Sequence, residues 1–257
     1  ITIQASKQQK RNKTSFSNTH LIADFSKAIC NKLRVFPMSS FNLWYHRLYT
    51  DGIHNEARFP KYRYTMLLER LKQSEQFNQI TIRKPALISR DSLLLAHDAA
   101  YVDAFLEEKL EEKEMRRIGL TPWTPKMIER TLYLTGGAVE ATTHAVEYGG
   151  ITGNMAGGTH HAHRDFGSGY CVFNDLAISA LYAIEHLEVK RVAILDLDVH
   201  QGDGTATILS NEERTRTISV HCSTNFPFRK SVSDFDLPIE PGSGDVAYME
   251  KVREAVK

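Results

Sequence analysis

Val192-Ala193-Ile194-Leu195-Asp196-Leu197-Asp198-Val199-His200-Gln201-Gly202-Asp203-Gly204 joins an apolar, β-branched run to a dense polar cluster. The apolar half, Val192 to Leu197, reads as a central buried strand of a parallel sheet. The polar half then falls at the strand's carboxyl end, where open α/β sheets place their ligands. Asp196, Asp198 and Asp203 bracket His200 within eight positions. Carboxylates crowded at the end of an apolar strand repel one another unless a cation or imidazoles offset them. Asp198-Val199-His200 sets a carboxylate and an imidazole on the same side of an extended chain. That donor pair suits zinc, and also manganese or iron(II).

Upstream, Gly157-Gly158-Thr159-His160-His161-Ala162 carries two adjacent histidines. Each needs a partner to fix its tautomer, and Asp196 and Asp203 are available for that. A base near neutral pKa, oriented by a carboxylate beside a metal-activated water, is what amide hydrolysis needs. Residues 151–156 read as a short strand ending at this pair, so both polar clusters sit at strand carboxyl ends.

Outward from these segments, helix and strand patterns alternate. The fold class expected is α/β, an open, mainly parallel sheet with helices on both faces. Helices are predicted over 62–73 (apolar stripe Met66, Leu67, Leu68 and Leu71), 92–114, 126–148 and 174–187, with Gly149-Gly150 stopping the third. Within 92–114, Leu94, Leu95, Tyr101, Val102, Phe105 and Leu106 face inward, and the charges from Glu107 to Glu114 form a solvated face. Further strands are predicted at 80–83 and 215–222, and 246–257 reads as the start of a helix.

The chain has 257 residues, enough to bury a large core in one domain. A net charge of +1 gives no overall attraction to polyanions, so no direct nucleic-acid binding is expected. No apolar run is long enough to span a bilayer, so no membrane partner is expected. Cys30, Cys171 and Cys222 lie far apart without a Cys-x-x-Cys, which fits a reducing, intracellular compartment. Residues 1–36 form a basic N-terminal extension with Lys7, Lys10, Arg11, Lys13, Lys27, Lys32 and Arg34 against Asp24. It reads equally as an organellar targeting segment, for mitochondrion or plastid, and as a disordered tail. Without targeting, nucleus or cytoplasm is expected. Residues 37–257 form the folded domain.

Three stretches together resemble the histone deacetylase family of zinc amidohydrolases. They are Gly157 to Ala162, Gly167-Ser168-Gly169-Tyr170-Cys171-Val172-Phe173-Asn174-Asp175, and Asp196 to Gly204. Pro122-Trp123-Thr124-Pro125, Gln201 and Asn225-Phe226-Pro227-Phe228 lean toward class IV and bacterial-like members. The resemblance runs from about Trp44 to the C-terminus and implies the arginase/deacetylase fold. It implies that Asp198 and His200 ligate Zn2+, His161 is the general base and acid, and His160 assists electrostatically. Asp196 and Asp203 would be the histidines' carboxylate partners, and Gly169, Tyr170 and Phe226 would line a tunnel for an acyl-lysine. A structural K+ would rest on backbone carbonyls of Asp196, Asp198, His200, Ser219 and Val220. His97 and Tyr101 read as packing residues, and Cys171 as a small buried apolar one.

The resemblance also marks departures. A third zinc ligand and an oxyanion-stabilising tyrosine have no match up to Lys257, so the domain is expected to be incomplete at its C-terminus. An acidic rim residue has no match between Met115 and Met127. The function expected is metal-dependent removal of acetyl or longer acyl groups from lysine side chains of proteins. Deacetylation of small acylated amines such as acetylpolyamines, and a catalytically incomplete binding fragment, stay open as alternatives. Oligomeric state is left open.

Overall fold

The computed structural model describes residues 2–5 and 41–257. Thr2–Ala5 (β1) and Phe41–Trp44 (β2) come first. Leu48–Asp51 (α1), Arg63–Lys72 (α2), a 3-10 turn at Glu75–Gln79 and Ile80–Arg83 (β3) follow. Short helices Arg90–Leu93 (α3), Ala99–Leu106 (α4) and Glu112–Ile118 (α5) precede the long helix Met127–Tyr148 (α6). Thr152–Asn154 (β4), Asp175–His186 (α7), Val192–Asp196 (β5) and Asp203–Leu209 (α8) lead to Thr215–Cys222 (β6), Phe235–Ile239 (β7) and Asp245–Ala255 (α9).

Apart from β1, every strand pairs in parallel, but in two sheets rather than one. One has the order β3-β2-β4 and the other β1-β5-β6-β7. β1 runs antiparallel to β5, with Thr2 opposite Leu195; the rest of the basic extension lies outside the described residues. Helix α6 packs on β2 and β4 and against α7, which packs on β5, so two helices join the sheets. Strand β5 alternates buried Val192, Ile194 and Asp196 with half-buried Ala193 and Leu195. Among the described residues no helix is long and apolar enough to cross a membrane.

The core gathers around Phe173, whose ring meets His97, Tyr101 and Phe105 at 5.0–5.7 Å between centroids. Tyr101 donates to the Val172 carbonyl (2.8 Å), and His97 Nε2 accepts from the Asn174 amide (2.9 Å). Both residues hold the segment that opens α7, the packing role expected of them.

Three local readings change. The helix expected over 92–114 is broken into α3, α4 and the start of α5. Asp98, in extended backbone, is the N-cap of α4, and Glu108 takes a left-handed φ of 59°. A Glu111–Glu114 capping box then starts α5. Helical periodicity persists across these breaks because Leu110 is still buried. In α2 the buried face is Tyr64 and Leu68, while Met66 and Leu67 are exposed. Tyr64 turns that face inward by packing on Tyr49 and Phe59. Strand β4 ends at Asn154, because Gly157 (φ 127°) and Gly158 (φ 69°) leave the extended region before the histidine pair.

Phe173→Ala is expected to lower the unfolding free energy by about 3–5 kcal/mol, read from urea denaturation followed by far-UV circular dichroism. A loss under about 1 kcal/mol would mean that this ring cluster is not the core's centre.

Candidate functional site

Strand β5 ends at Asp196, and the turn after it is tied by its own carboxylates. Asp196 Oδ1 accepts the Asp198 amide (3.0 Å), and Asp198 Oδ1 accepts the His200 amide (2.8 Å). Each carboxylate thus caps the backbone two residues on. The other Asp196 oxygen, Oδ2, lies 2.5 Å from His160 Nδ1. Asp203, the first residue of α8, lies 2.6 Å from His161 Nδ1 through Oδ1 and 3.1 Å from His163 Nε2 through Oδ2. The two histidine–aspartate partnerships expected from the sequence therefore form, and both histidines are buried.

The loop that carries the histidines is held from beneath. Asn174, the N-cap of α7, accepts the Ala177 amide and donates to the carbonyls of Ala162 (3.0 Å) and His160 (3.4 Å). Its neighbour Asp175 accepts from the amides of Gly158 and Thr159 and from the Thr159 hydroxyl. Burial pushes the Asp175 carboxyl up, against the pull of those donors. Neither role was read from the sequence, although Asn-Asp before an amphipathic run signals a helix start. His163, the second partner of Asp203, was also missed. It stacks on Phe166 with 4.4 Å between ring centroids.

Gly169, at φ 54°, passes so close to His161 that a Cβ there would lie 2.5 Å from its Cδ2. Phe226 meets His161 edge-on, with 4.8 Å between centroids. Gly169 and Phe226 thus both lie against the His161 ring. Tyr170 follows at φ 68°, donates its amide to Ile118 (2.7 Å) and packs its ring on Phe59 rather than on His161. The Phe226 loop is lashed down by Gln201, which is 1% exposed. Gln201 Nε2 donates to the Ser231 carbonyl and to Asp236, and its Oε1 accepts the Ser231 amide. Cys171 is buried, and burial pushes its thiol up, as suits a small apolar filler. Ser219 and Val220 lie on β6, where Ser219 is the register partner of Asp196.

Environment splits the histidine pair. Burial opposes a charge on His160, but the carboxylates of Asp196, Asp198 and Asp203 outweigh it and hold its pKa up. Burial holds His161 below its ordinary value; Asp203 pulls the other way, and His160, 4.0 Å away between ring centroids, adds to the lowering. Burial disfavours the charge on Asp203 as well, yet hydrogen bonds from His161 and His163 bring its pKa to about 2. Paired titrating groups pushed apart in this way are suited to different roles.

Asp198 and His200 face each other and are open to solvent, with side chains 45% and 35% exposed. Asp198 Oδ1 and His200 Nδ1 lie 3.0 Å apart, close to the ~3.3 Å between two ligands of a tetrahedral zinc. Despite opposition from burial, the His200 amide and nearby His160 and His200 hold the Asp198 carboxyl below its usual range, as a ligand requires. Among the described residues no group of three or more His, Cys, Asp or Glu converges on a metal position. The donor set therefore fits half of a zinc shell.

The histone deacetylase domain family model matches residues 57–257. The chain is 40% identical over 210 residues to an uncharacterized protein of Picosynechococcus, covering 82% of this chain and 69% of that protein. It is 28% identical over 226 residues to the acetoin utilization protein AcuC of Bacillus subtilis, covering 80% and 58%. Against AcuC of Staphylococcus aureus it is 27% identical over 217 residues, covering 77% and 56%. The chain thus spans little more than half the length of the AcuC proteins.

Asn174→Ala removes an N-cap and leaves buried carbonyls short of a donor. It is expected to cost about 2–4 kcal/mol, measured by urea denaturation. A cost of a few tenths would show that α7 and the histidine loop are held by something else.

Proposed function

Because the chain belongs to the histone deacetylase family, and to its bacterial-like members, we propose that the whole protein is a zinc-dependent hydrolase of acyl-lysine side chains. The two buried histidine–aspartate bonds set beside the solvent-open Asp198–His200 pair are the observation that carries this reading. Asp198 and His200 would hold the ion. A zinc ion bound there supplies Lewis acidity toward the amide carbonyl and makes a water acidic enough to deprotonate near neutral pH.

His161 then handles the proton. Its Nδ1–H is engaged by Asp203, which leaves Nε2 unprotonated in the neutral ring and able to accept a proton from the attacking water. As the C–N bond breaks, the same nitrogen delivers that proton to the amine, which leaves neutral. His160, held up in pKa by three carboxylates, offers positive charge toward the developing oxyanion. Gly169 lets the backbone approach the base, and Phe226 and Tyr170 would bound a narrow apolar channel for the acyl-lysine stem. A structural potassium on the carbonyls of Asp196, Asp198, His200, Ser219 and Val220 belongs to the same proposal, supported by the pairing of Asp196 with Ser219. The small-amine alternative shares every one of these steps.

The full-length protein with zinc restored is expected to hydrolyse acetyl-lysine peptides faster than acetylpolyamines. Hydrolysis of neither would sink the proposal. Asp198→Ala is expected to abolish stoichiometric zinc retention, read by elemental analysis after dialysis. Gly169→Ala drives a methyl into the His161 ring and is expected to cut kcat by at least about 100-fold while zinc content holds.

The base works only when neutral, and burial holds its pKa below the ordinary histidine value. The acid limb of kcat against pH is therefore expected below pH 6.5. Asp203→Asn removes an interaction that raises the His161 pKa, so the limb should move to still lower pH while kcat falls. A limb that moves upward would assign it to another group.

A further inference from the structure

A second recess opens at the carboxyl ends of β2 and β3. His46 and Arg47 follow β2, Lys84 follows β3, and Lys126, Glu129 and Tyr133 come from the start of α6. Its volume is about 550 Å3. None of the histidines or aspartates of the hydrolase site lines it.

The charges around it are out of balance. Arg47, Lys84 and Lys126 are exposed, and Glu129 is the one carboxylate in the lining. Among the described residues, no carboxylate forms an ion pair with any of the three cations. Lys84 Nζ lies over the Tyr133 ring, 6.0 Å from its centroid. His46 stacks on that same ring, with centroids 3.9 Å apart and planes 23° from parallel. Burial, then Lys84, hold the His46 pKa down; Glu129 pulls the other way and Arg47 adds a smaller lowering.

The start of α6 adds to the imbalance. This helix of 22 residues has Lys126 at its N-cap and no side-chain cap, with Glu129 as the one acid of its first turn. A cation at the positive end of a helix is unfavourable, where Asp, Ser or Asn would be stabilising. Local rules are broken in this way where function demands it. A bound anion would relieve both the uncapped helix start and the mutual repulsion of the three cations. Parallel strands also place ligands at this end.

We propose that this recess binds a small oxyanion carrying at least two negative charges, with Arg47, Lys84 and Lys126 as the charge partners and the His46–Tyr133 stack as its floor. Phosphate-rich and carboxylate-rich molecules share this chemistry. The site does not depend on zinc or on hydrolysis.

The test is calorimetric titration of the full chain with pyrophosphate and, separately, citrate at low ionic strength, with 15N-histidine NMR alongside. Binding by at least one anion is expected, with a shift of the His46 ring signals and none at His161. Lys84→Gln and Lys126→Gln should each weaken it about tenfold, the worth of one charge-assisted hydrogen bond. Both side chains are exposed, so melting curves should match the parent. Lys113→Gln, on the distant exposed face of α5, should leave binding unchanged. The proposal is overturned if neither anion binds at millimolar concentration, or if all three variants bind as the parent does. A ring shift confined to His160, His161 or His200 would also overturn it, by placing the anion at the hydrolase site.

Discussion

Two imidazole–carboxylate bonds, His160 to Asp196 at 2.5 Å and His161 to Asp203 at 2.6 Å, fasten one loop to the end of β5. The rest of the site is arranged around them. The four groups are nearly shut off from water, so none can be left alone: an unpaired buried charge is far costlier than the pair is worth. Once β5 fixes Asp196 and α8 fixes Asp203, the histidine loop has one place to go. The turn between the two aspartates is then obliged to present Asp198 and His200 outward.

That closeness explains several residues that carry no charge. A Cβ on Gly202 would lie 2.4 Å from Asp196 Oδ2, and one on Gly204 would lie 2.1 Å from the Ala162 carbonyl. Gly202 meets the Asp196 side chain and Gly204 meets backbone, and neither leaves room for a Cβ. Asn174 completes the fit from the opposite side. Its amide reaches the carbonyls of His160 and Ala162 and the Thr205 hydroxyl on α8. The start of α7, the histidine loop and the start of α8 therefore behave as one polar block inside an apolar shell. Such a block stays single-valued because every member is satisfied.

The parts of this arrangement legible in the sequence were those with strong local signals. Val192 to Leu197 could hardly be anything but a buried strand, and Thr215 to Cys222 was as plain. The histidines and their carboxylates announced themselves as dense polar clusters beside apolar runs. Three kinds of feature stayed hidden. Helix breaks near Asp98 and Glu108 depend on backbone angles that periodicity does not report. The choice of Tyr64 over Met66 as a buried face of α2 was made by Tyr49 and Phe59, partners outside the helix. The strands β2 and β7 are only four and five residues long, and β7 contains Pro238, which belongs at edges. His163 and the tethering role of Gln201 were missed for another reason. Their roles come from which oxygen they reach, and that exists only after folding.

The parallel topology itself dictates where chemistry can occur on this chain. When strands run the same way, each crossover returns its helix so that the helix start lies beside the strands' carboxyl ends. Loops leaving those ends are free to vary, because nothing downstream in the sheet depends on them. At β5 the loop is acidic, and imidazoles engage Asp196 and Asp203 from within, leaving Asp198 and His200 open to solvent. At β2 and β3 the loops are basic, and no carboxylate pairs with Arg47, Lys84 or Lys126 among the described residues. The same architectural edge thus carries opposite fields at its two sheets, although the net charge of the whole chain is only +1. A near-neutral total conceals local imbalance, and it is the local field that selects what binds.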